Sequence, residues 1–262
     1  LPDNDLGEAC LNFLSQFRVE TRHILRGGER LGIYFLENGA SQRASKVIYD
    51  RSGSSFASLQ PGMFDWPQIL KGVAWFHWTG ITPAVSEGAA AVCLEAVKTA
   101  RDLGLIISCD LNYRSKLWKW GKTAGEVMSG LVELCDLAVA NEEDAKKVFG
   151  ITAPDTDVST GKVMVENYGP VCEQIAGLFP HLKTIAITLR GSLSASHNTW
   201  SAALWHKGSY FSAPTYHIPD IVDRVGAGDS FAGGLIYALT QATRSFQRAL
   251  EFAVAASALK HS

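Results

Sequence analysis

A carboxylate that directly follows a glycine-rich turn is the feature of this sequence that most clearly indicates chemistry. Residues 221–234 read Ile-Val-Asp-Arg-Val-Gly-Ala-Gly-Asp-Ser-Phe-Ala-Gly-Gly. Gly226 and Gly228 permit positive φ angles, so with Ala227 they would present backbone N–H groups at the start of a helix, whose dipole attracts anions. Asp229 would stand beside this anion hole as a catalytic base. Such a pair suits phosphoryl transfer, because the hole stabilises negative charge and the acid accepts the proton of an attacking hydroxyl.

The turn by itself has a second interpretation. It could be a tight connection between a strand and a helix, with Asp229 as a favourable charge at the helix N-terminus. It is not a Walker A loop, because no Gly-Lys-Ser or Gly-Lys-Thr follows, and the Gly-x-Gly-x-x-Gly spacing of a dinucleotide fingerprint is absent. The elements around the turn have to decide between the two interpretations.

The first of these elements is a predicted β-hairpin that interrupts an otherwise alternating pattern. Strand-like residues 31–36 and 46–49 flank a polar connection, which is typical of a hairpin. No helical pattern follows either strand directly, so we interpret residues 29–57 as an inserted lid. Residues 1–28 and 58–262 would then form an α/β core.

Beyond the lid, short apolar segments alternate with amphipathic ones. This alternation predicts an α/β fold, a three-layer α/β/α sandwich with a mostly parallel central sheet and the hairpin lid beside it. Residues 194–206 predict short strands alternating with turns, and residues 208–218 continue this pattern, so we expect antiparallel additions at one edge of the sheet. The predicted parallel strands are 73–77, 105–109, 137–140 and 184–189, and the predicted helices are 86–103, 122–134, 142–149, 162–179, 230–240 and 245–258.

Polar or glycine residues follow four of these strands, where open α/β sheets bind their ligands. One such segment contains Asp110, Asn112 and Arg114, whose side chains would share one side of an extended chain. Arg114 could bind a carboxylate or phosphate through two hydrogen bonds. Alternatively, Asp110 and Arg114 form a structural ion pair that closes the loop.

The lid contributes two aromatic residues and a cation. Tyr49 and Arg51 are two residues apart and share a face, while Tyr34 lies in the first lid strand. Aromatic faces over a sugar, together with a cation for an acid group, would suit a sugar acid. The alternative is that both tyrosines only pack the lid and that Arg51 is solvated.

The composition excludes several classes of protein. The 262 residues are 47% hydrophobic and 19% charged, with a net charge of −2, so a globular core is expected and no basic face for nucleic acid. No apolar run reaches the roughly 18 residues of a membrane-spanning helix, and no membrane partner is expected. Five scattered cysteines lack metal-ligand spacing, which favours reduced thiols in a cytoplasmic protein.

Taken together, these segments resemble the ribokinase-like (PfkB) family of carbohydrate kinases, and the likeness runs over nearly the whole sequence. The family signature Asp-Thr-x-Gly-Ala-Gly-Asp-x-Phe is matched by Asp223, Gly226, Ala227, Gly228, Asp229 and Phe231. Arg224 replaces the usual small hydroxyl residue. The resemblance implies that Asp229 is the catalytic base and that the N–H groups of residues 226–229 hold the oxyanion.

The resemblance also implies a site for ATP and Mg²⁺, with a monovalent cation as in some relatives. The segment Asn141-Glu142-Glu143-Asp144 resembles the Asn-x-x-Glu motif that orders magnesium and phosphates, and either Glu143 or Asp144 could supply its carboxylate. The same residues could equally cap a helix. The nucleotide-binding residues implied by the family pattern are Asn141, Thr188, Arg190, Gly191, Gly226 and Gly228.

Within the family, the sequence is most similar to kinases of 2-keto-3-deoxygluconate. That branch carries a tyrosine in the first lid strand and Tyr-x-Arg in the second, and the substrate-binding residues it implies are Tyr34, Tyr49, Arg51, Ile81, Arg114 and Asp229. The implied product is 2-keto-3-deoxy-6-phosphogluconate, formed by phosphorylation of the primary hydroxyl. The alternatives are a kinase for a neutral sugar such as fructose or ribose, or for a nucleoside, and a sugar-binding relative without catalysis.

Two further expectations concern the whole chain. The sequence starts at Leu1 rather than Met, and a helix-like pattern continues to Lys260, so we expect a fragment of a longer chain. By resemblance, the family's first strands and its Gly-Gly-x-x-x-Asn segment would precede residue 1. An exposed hairpin could pair with that of a second copy, and a homo-oligomer is expected.

Overall fold

The computed structural model describes residues 1–141, 143–152, 167–241 and 245–262. Two sequence predictions therefore fall partly outside the described residues: residue 142 of the Asn-x-x-Glu-like segment, and residues 162–166 at the start of a predicted helix. No helix within the described ranges is long and apolar enough to cross a membrane.

Nine strands and nine helices make up the described part of the chain. The strands are β1 (Ile33–Glu37), β2 (Lys46–Asp50), β3 (Trp75–Thr79), β4 (Ile106–Asp110), β5 (Leu137–Asn141), β6 (Thr184–Ser192), β7 (Asn198–His206), β8 (Ser209–Ser212) and β9 (Tyr216–Ile218). The helices are α1 (Asp5–Gln16), α2 (Trp66–Ile69), α3 (Ile81–Val85), α4 (Glu87–Asp102), α5 (Ala124–Val132), α6 (Asp144–Phe149), α7 (Tyr168–Leu178), α8 (Ala227–Thr240) and α9 (Phe246–Lys260).

The central sheet has the mostly parallel character that the sequence predicts. Strands β3, β4, β5 and β6 are neighbours and run parallel. The edge beyond them is antiparallel, because β7 pairs with β6, and both β8 and β9 pair with β7. The predicted α/β fold with antiparallel additions at one edge is confirmed.

Two apolar cores lie on opposite faces of this sheet. Successive residues of a strand point to opposite faces, and accordingly Ala138 and Ile185 belong to one core while Val139 and Ala186 belong to the other. Helices α4, α5, α6 and α7 cover the first face, and α8 and α9 cover the second. The result is the three-layer arrangement that the alternating sequence predicts.

The lid forms a separate two-stranded antiparallel sheet in which Tyr34 pairs with Tyr49. Two hydrogen bonds connect it to the core at opposite ends. Lys116 Nζ donates to the carbonyl of Val47 at 2.9 Å, and the amide of Ala195 donates to the carbonyl of Ser41 at 2.9 Å. The hairpin therefore rests over the carboxyl ends of the core strands.

Several local predictions differ from the structure. Helices α1, α2 and α3 were not predicted, although Asn4 caps α1 by accepting hydrogen bonds from the amides of Leu6 and Gly7. The strand predicted over residues 184–189 continues to Ser192. Residues 198–206 form one long strand rather than short strands with turns. In the last two cases the nine-residue pairing of β6 with β7 extends both strands, and a non-local ladder of this kind leaves no local signal.

Candidate active site

A cavity of about 460 Å³ opens at the carboxyl ends of β4, β5 and β6, beneath the lid. The parallel register brings these ends together, since Thr79 pairs with Asp110 and Asn141 pairs with Thr188. The cavity is lined by Tyr34, Leu36, Ser45, Val47, Tyr49, Arg51, Ile81, Asp110, Asn112, Arg114, Val139, Ala140, Asn141, Thr188, Arg190, Asn198, Trp200, residues 224–229 and His261.

The glycine-rich turn forms one wall of this cavity. Gly226 adopts a φ of +81°, which favours glycine, and helix α8 begins at the next residue. The N–H groups of Gly226, Gly228 and Asp229 have no hydrogen-bond partner within the described ranges. They therefore remain available, at the positive end of a 14-residue helix, for an anion in the cavity.

The carboxylate of Asp229 is exposed in the first turn of α8 and lines the cavity. The turn that presents it is fixed from both sides. Asp223 accepts a hydrogen bond from the amide of Val225 at 2.9 Å and pairs with Lys260 Nζ at 2.8 Å. Behind the turn, the buried hydroxyl of Ser257 donates to the carbonyl of Ala227 at 2.6 Å. An acid and unpartnered backbone donors thus face the same space.

The segment after β4 places its three predicted polar residues in the cavity wall. The amide of Asn112 donates to Asp110 Oδ1, and Asn112 Nδ2 donates to Thr79 Oγ1, both at 3.1 Å. Arg114 Nη1 donates to the carbonyl of Tyr113 at 2.8 Å, and this guanidinium has no ion-pair partner in the part of the chain that the structure describes. The loop-closing pair between Asp110 and Arg114 is therefore not formed, and Arg114 is left for a ligand.

The protonation of Asp110 is shifted by its surroundings. Burial, followed by the negative charges of Asp144 and Asp229, raises the pKa of Asp110 to about 7, although Arg114 and the amide of Asn112 act in the opposite direction. A substantial fraction of Asp110 is therefore protonated at neutral pH. The two carboxyl groups in the cavity differ in environment, which is the usual basis for different roles.

The segment at the end of β5 forms a local cap. Asn141 Oδ1 accepts hydrogen bonds from the amides of Glu143 at 2.9 Å and Asp144 at 3.0 Å. In return, the buried Asp144 accepts from the amides of Asn141 and Tyr113 at 3.0 and 3.3 Å. Glu143 pairs with Lys147. Asn141 lines the cavity, whereas Glu143 and Asp144 do not. The hydrogen bonds therefore show Asn141 as a helix cap, and the binding of magnesium by these three residues stays a prediction.

The predicted nucleotide residues of β6 are only partly in the cavity. Thr188 and Arg190 line it, but Gly191 does not. In addition, Thr188 Oγ1 donates a hydrogen bond to the carbonyl of Ala140 at 3.3 Å. Because residues 188–192 continue the strand, alternate side chains point away from the cavity.

The cavity residues that received no role in the sequence analysis include Asn198, Trp200, Arg224 and His261. Asn198 is 1% exposed, and its Oδ1 has no partner in the described part of the chain, nor has Trp200 Nε1. Strand β7 brings both to the wall by pairing with β6. No local pattern marks them, except that Arg224 departs from the family signature.

The lid closes the cavity with the cluster that the sequence suggested. The rings of Tyr34 and Tyr49 have centroids 6.4 Å apart. The guanidinium carbon of Arg51 lies 5.9 Å from the first centroid and 5.1 Å from the second, within the range of cation–π interactions. All three residues line the cavity, so their mutual packing does not remove them from it.

Comparison with known proteins is consistent with this geometry. The model of the pfkB family of carbohydrate kinases matches residues 1–262. A 2-dehydro-3-deoxygluconokinase structure from Thermotoga maritima aligns with a TM-score of 0.91 and 44% identity over 100% of this chain and 77% of its own. A 2-dehydro-3-deoxygalactonokinase from Haloferax volcanii is 31% identical over 99% of this chain and 74% of its own.

A fructokinase from Xylella fastidiosa, solved with bound ATP, shares the fold with a TM-score of 0.75 at 18% identity, over 100% of this chain and 77% of its own. Fold, cavity and family match agree on the class of protein. The chain belongs to the pfkB family of carbohydrate kinases, which are phosphotransferases acting on an alcohol group and using ATP.

The cavity also contains carboxylate and amide oxygens, the ligand atoms that magnesium prefers. Within the described ranges, no group of three or more acidic, histidine or cysteine side chains is arranged around one point. Magnesium in phosphotransferases is commonly bound by one or two carboxylates together with substrate phosphates and water. Asp110, Asp229 and Asn141 line the cavity and fit an ion that enters with the nucleotide.

Proposed function

We propose that this chain phosphorylates the primary hydroxyl of 2-keto-3-deoxygluconate with ATP and releases 2-keto-3-deoxy-6-phosphogluconate and ADP. The observation that carries the proposal is the position of Asp229 beside unpartnered N–H groups in a cavity that two arginines, Arg51 and Arg114, also line. The names of the Thermotoga and Haloferax relatives support the same substrate class.

In the proposed reaction, Asp229 accepts the proton of the sugar hydroxyl as its oxygen attacks the γ-phosphorus of ATP. The bond from that phosphorus to the bridging oxygen of ADP breaks, and ADP leaves. The N–H groups of Gly226, Gly228 and Asp229 stabilise the charge on the transferred phosphoryl group. These donors are fixed before the reaction by the turn and the helix, which is the condition for effective electrostatic stabilisation. The N–H group of Ala227, which the sequence analysis included in the anion hole, donates instead to the carbonyl of Arg224 at 3.4 Å.

The sugar acid would lie between the lid and the segment after β4. Arg51 and Arg114 would bind its carboxylate and hydroxyls, while Tyr34 and Tyr49 cover the sugar and Ile81 contacts it from below. Closing the lid would exclude water from the γ-phosphate, which limits hydrolysis of ATP.

The nucleotide would occupy the opposite side of the cavity. Asn141, Thr188, Arg190 and Gly191 are its proposed contacts at the strand ends, together with the amides of Gly226 and Gly228. Magnesium bound with ATP would neutralise part of the phosphate charge, near Asn141 and with Asp144 or Glu143 acting indirectly.

Three further features belong to the proposal. A monovalent cation would bind near the turn, and the chain would form a homo-oligomer. A cytoplasmic location is also proposed, supported by five cysteines that are free thiols.

A second candidate substrate has a specific observation in its favour. The Haloferax relative is named for 2-keto-3-deoxygalactonate, which differs from the gluconate in the configuration of one hydroxyl-bearing carbon. The charged groups proposed to bind the acid would treat both epimers alike, so discrimination would depend on neutral contacts in the cavity.

A side-by-side kinetic assay tests the proposal. ADP formation is measured with ATP and each of 2-keto-3-deoxygluconate, 2-keto-3-deoxygalactonate, fructose, ribose and a nucleoside. We expect kcat/KM for the gluconate to exceed that for fructose and ribose by at least about 100-fold, because two charged contacts are lost with a neutral sugar. Higher kcat/KM with a neutral sugar, or no sugar-dependent ADP formation at all, would contradict the proposal.

A further inference from the structure

A pair of arginines faces the cavity beside the anion hole. Arg224 lies two residues before Gly226, and Arg190 lies near the end of β6. Both are half-buried and both line the cavity. Arg51 and Arg114, which lie in the lid and after β4, occupy other parts of the wall. The positive charge of the cavity is thus divided into two groups.

The side chain of Arg224 is held in place by one of its donors. Nη2 donates a hydrogen bond to the carbonyl of Ala195, in the turn between β6 and β7. Its remaining N–H groups have no partner in the part of the chain that the structure describes. Arg224 is therefore oriented in advance, with donors left for a ligand, which reduces the loss of side-chain entropy on binding.

The charge of Arg224 is not neutralised by the carboxylate of Asp223, which precedes it in the sequence. Asp223 is already paired with Lys260 at 2.8 Å, and no ion pair of Arg224 exists within the described ranges. Arg190 instead adds like charge: burial, and then the charge of Arg190, lower the pKa of Arg224. The same two arginines, with Lys260, also contribute to a lowered pKa of His261, which burial dominates.

A half-buried cation without an ion-pair partner is costly unless a ligand compensates its charge, and within the described ranges this applies to Arg224. The site next to the helix N-terminus, where Arg224 lines the cavity, is suited to phosphate. The fork of a guanidinium binds two phosphate oxygens at once. A nucleoside triphosphate would supply several such oxygens adjacent to the group that is transferred.

We propose that Arg224 is a phosphate-binding residue which, with Arg190, clamps the polyphosphate of the nucleotide beside the Gly226 turn. The inference rests on the proposed function for the identity of the nucleotide, but it assigns a role to a residue that departs from the family signature. The small hydroxyl residue usual at this position carries no charge, so the clamp would be a feature of chains with this arginine.

Direct binding measurements on the whole chain test the clamp. ATP, ADP and adenosine are titrated in the presence of Mg²⁺ and without sugar into the wild type, Arg224→Gln, Arg224→Lys and Arg190→Gln. We expect Arg224→Gln and Arg190→Gln each to weaken ATP and ADP binding by at least about tenfold, the effect of losing a charge-assisted hydrogen bond. Adenosine binding should change by less than about twofold, because adenosine has no phosphate.

Arg248→Gln is the matched control, since Arg248 is exposed on α9 and does not line the cavity. Arg224→Lys keeps the charge and a donor for the Ala195 carbonyl, so it should fold and lose less ATP affinity than Arg224→Gln. Unchanged affinity of Arg224→Gln for ATP and ADP would overturn the clamp. An equal loss for adenosine, or an equal rise in KM for the sugar acid, would also overturn it and leave Arg224 as a support of the turn at Ala195. Since these titrations contain no sugar, absence of sugar-dependent turnover would refute the proposed function without affecting this result.

Discussion

At the scale of single residues, two carboxyl groups share the cavity wall but differ in access. Asp110 is enclosed at the end of β4 and its pKa is raised to about 7, so its carboxyl group is only partly ionised at neutral pH. Asp229 is exposed in the first turn of α8, next to unpartnered amides. A base that must reach an incoming hydroxyl needs the second environment, which is why we assign that role to Asp229.

The substitution Asp229→Asn tests this assignment. The amide keeps the size of the side chain but cannot accept the proton, so kcat should fall by about 10²–10⁴-fold while KM for the sugar acid changes little. Stopped assays of ADP formation measure both constants. Asp220→Asn is the matched control, because Asp220 is exposed outside the cavity. Near-normal turnover of Asp229→Asn would refute the assignment.

At the scale of elements, the hairpin and the sheet edge contribute different contacts to one cavity. Alternation in the lid strands leaves Tyr34 and Tyr49 as a cross-strand pair on the same face, with Arg51 over both rings. The core contributes the strand ends and the α8 turn. Among the described residues, two hydrogen bonds outside the hinge segments connect the lid to the core, from Lys116 and Ala195, so opening the lid would break few contacts of this kind.

We expect Arg51→Ala to affect sugar acids far more than neutral sugars. Removing the guanidinium removes a charged hydrogen bond to the carboxylate, so kcat/KM for 2-keto-3-deoxygluconate should fall by about tenfold or more. The value for fructose should stay within about twofold. Arg43→Ala serves as the control, because Arg43 lies in the lid but pairs with Glu37 and does not line the cavity. An equal loss for both sugars would remove the proposed role of Arg51.

At the scale of the whole molecule, the active turn depends on the smaller of the two cores. Helices α8 and α9 pack on one face of the sheet through fully buried residues such as Leu235 and Leu250. Helix α8 also carries Asp229 and the anion hole. The packing of this layer therefore sets both the stability of the fold and the position of the catalytic turn.

Leu235→Ala should lower the free energy of unfolding by about 2–5 kcal/mol, because it leaves a cavity in a packed core. Leu178→Ala, the same change at a leucine that is 57% exposed, should cost less than about 1 kcal/mol. Urea unfolding followed by tryptophan fluorescence compares the two. Similar losses for both variants would show that the α8 layer is not packed as the structure has it.

How much of this the sequence predicts depends on the range of the interactions involved. The hairpin, the parallel strands and most helices follow from local periodicity, and the family follows from the segment around Asp229. The strand predicted to end at residue 189 continues to Ser192, because pairing with β7 extends β6. The unpredicted helix α1 has a local cap at Asn4 and an apolar stripe formed by Leu6, Cys10, Phe13 and Leu14, so local signals could have predicted it.

The sequence by itself determined the order of elements, the class of chemistry and the candidates for base, anion hole and acid-binding arginines, because each depends on neighbouring residues. Tertiary structure alone decided that Arg114 does not pair with Asp110, that Asp144 accepts hydrogen bonds from two amides, and that Arg190 and Arg224 line one cavity. These outcomes depend on which strands become neighbours. Side chains far apart in sequence then share one cavity, and no local pattern carries that information.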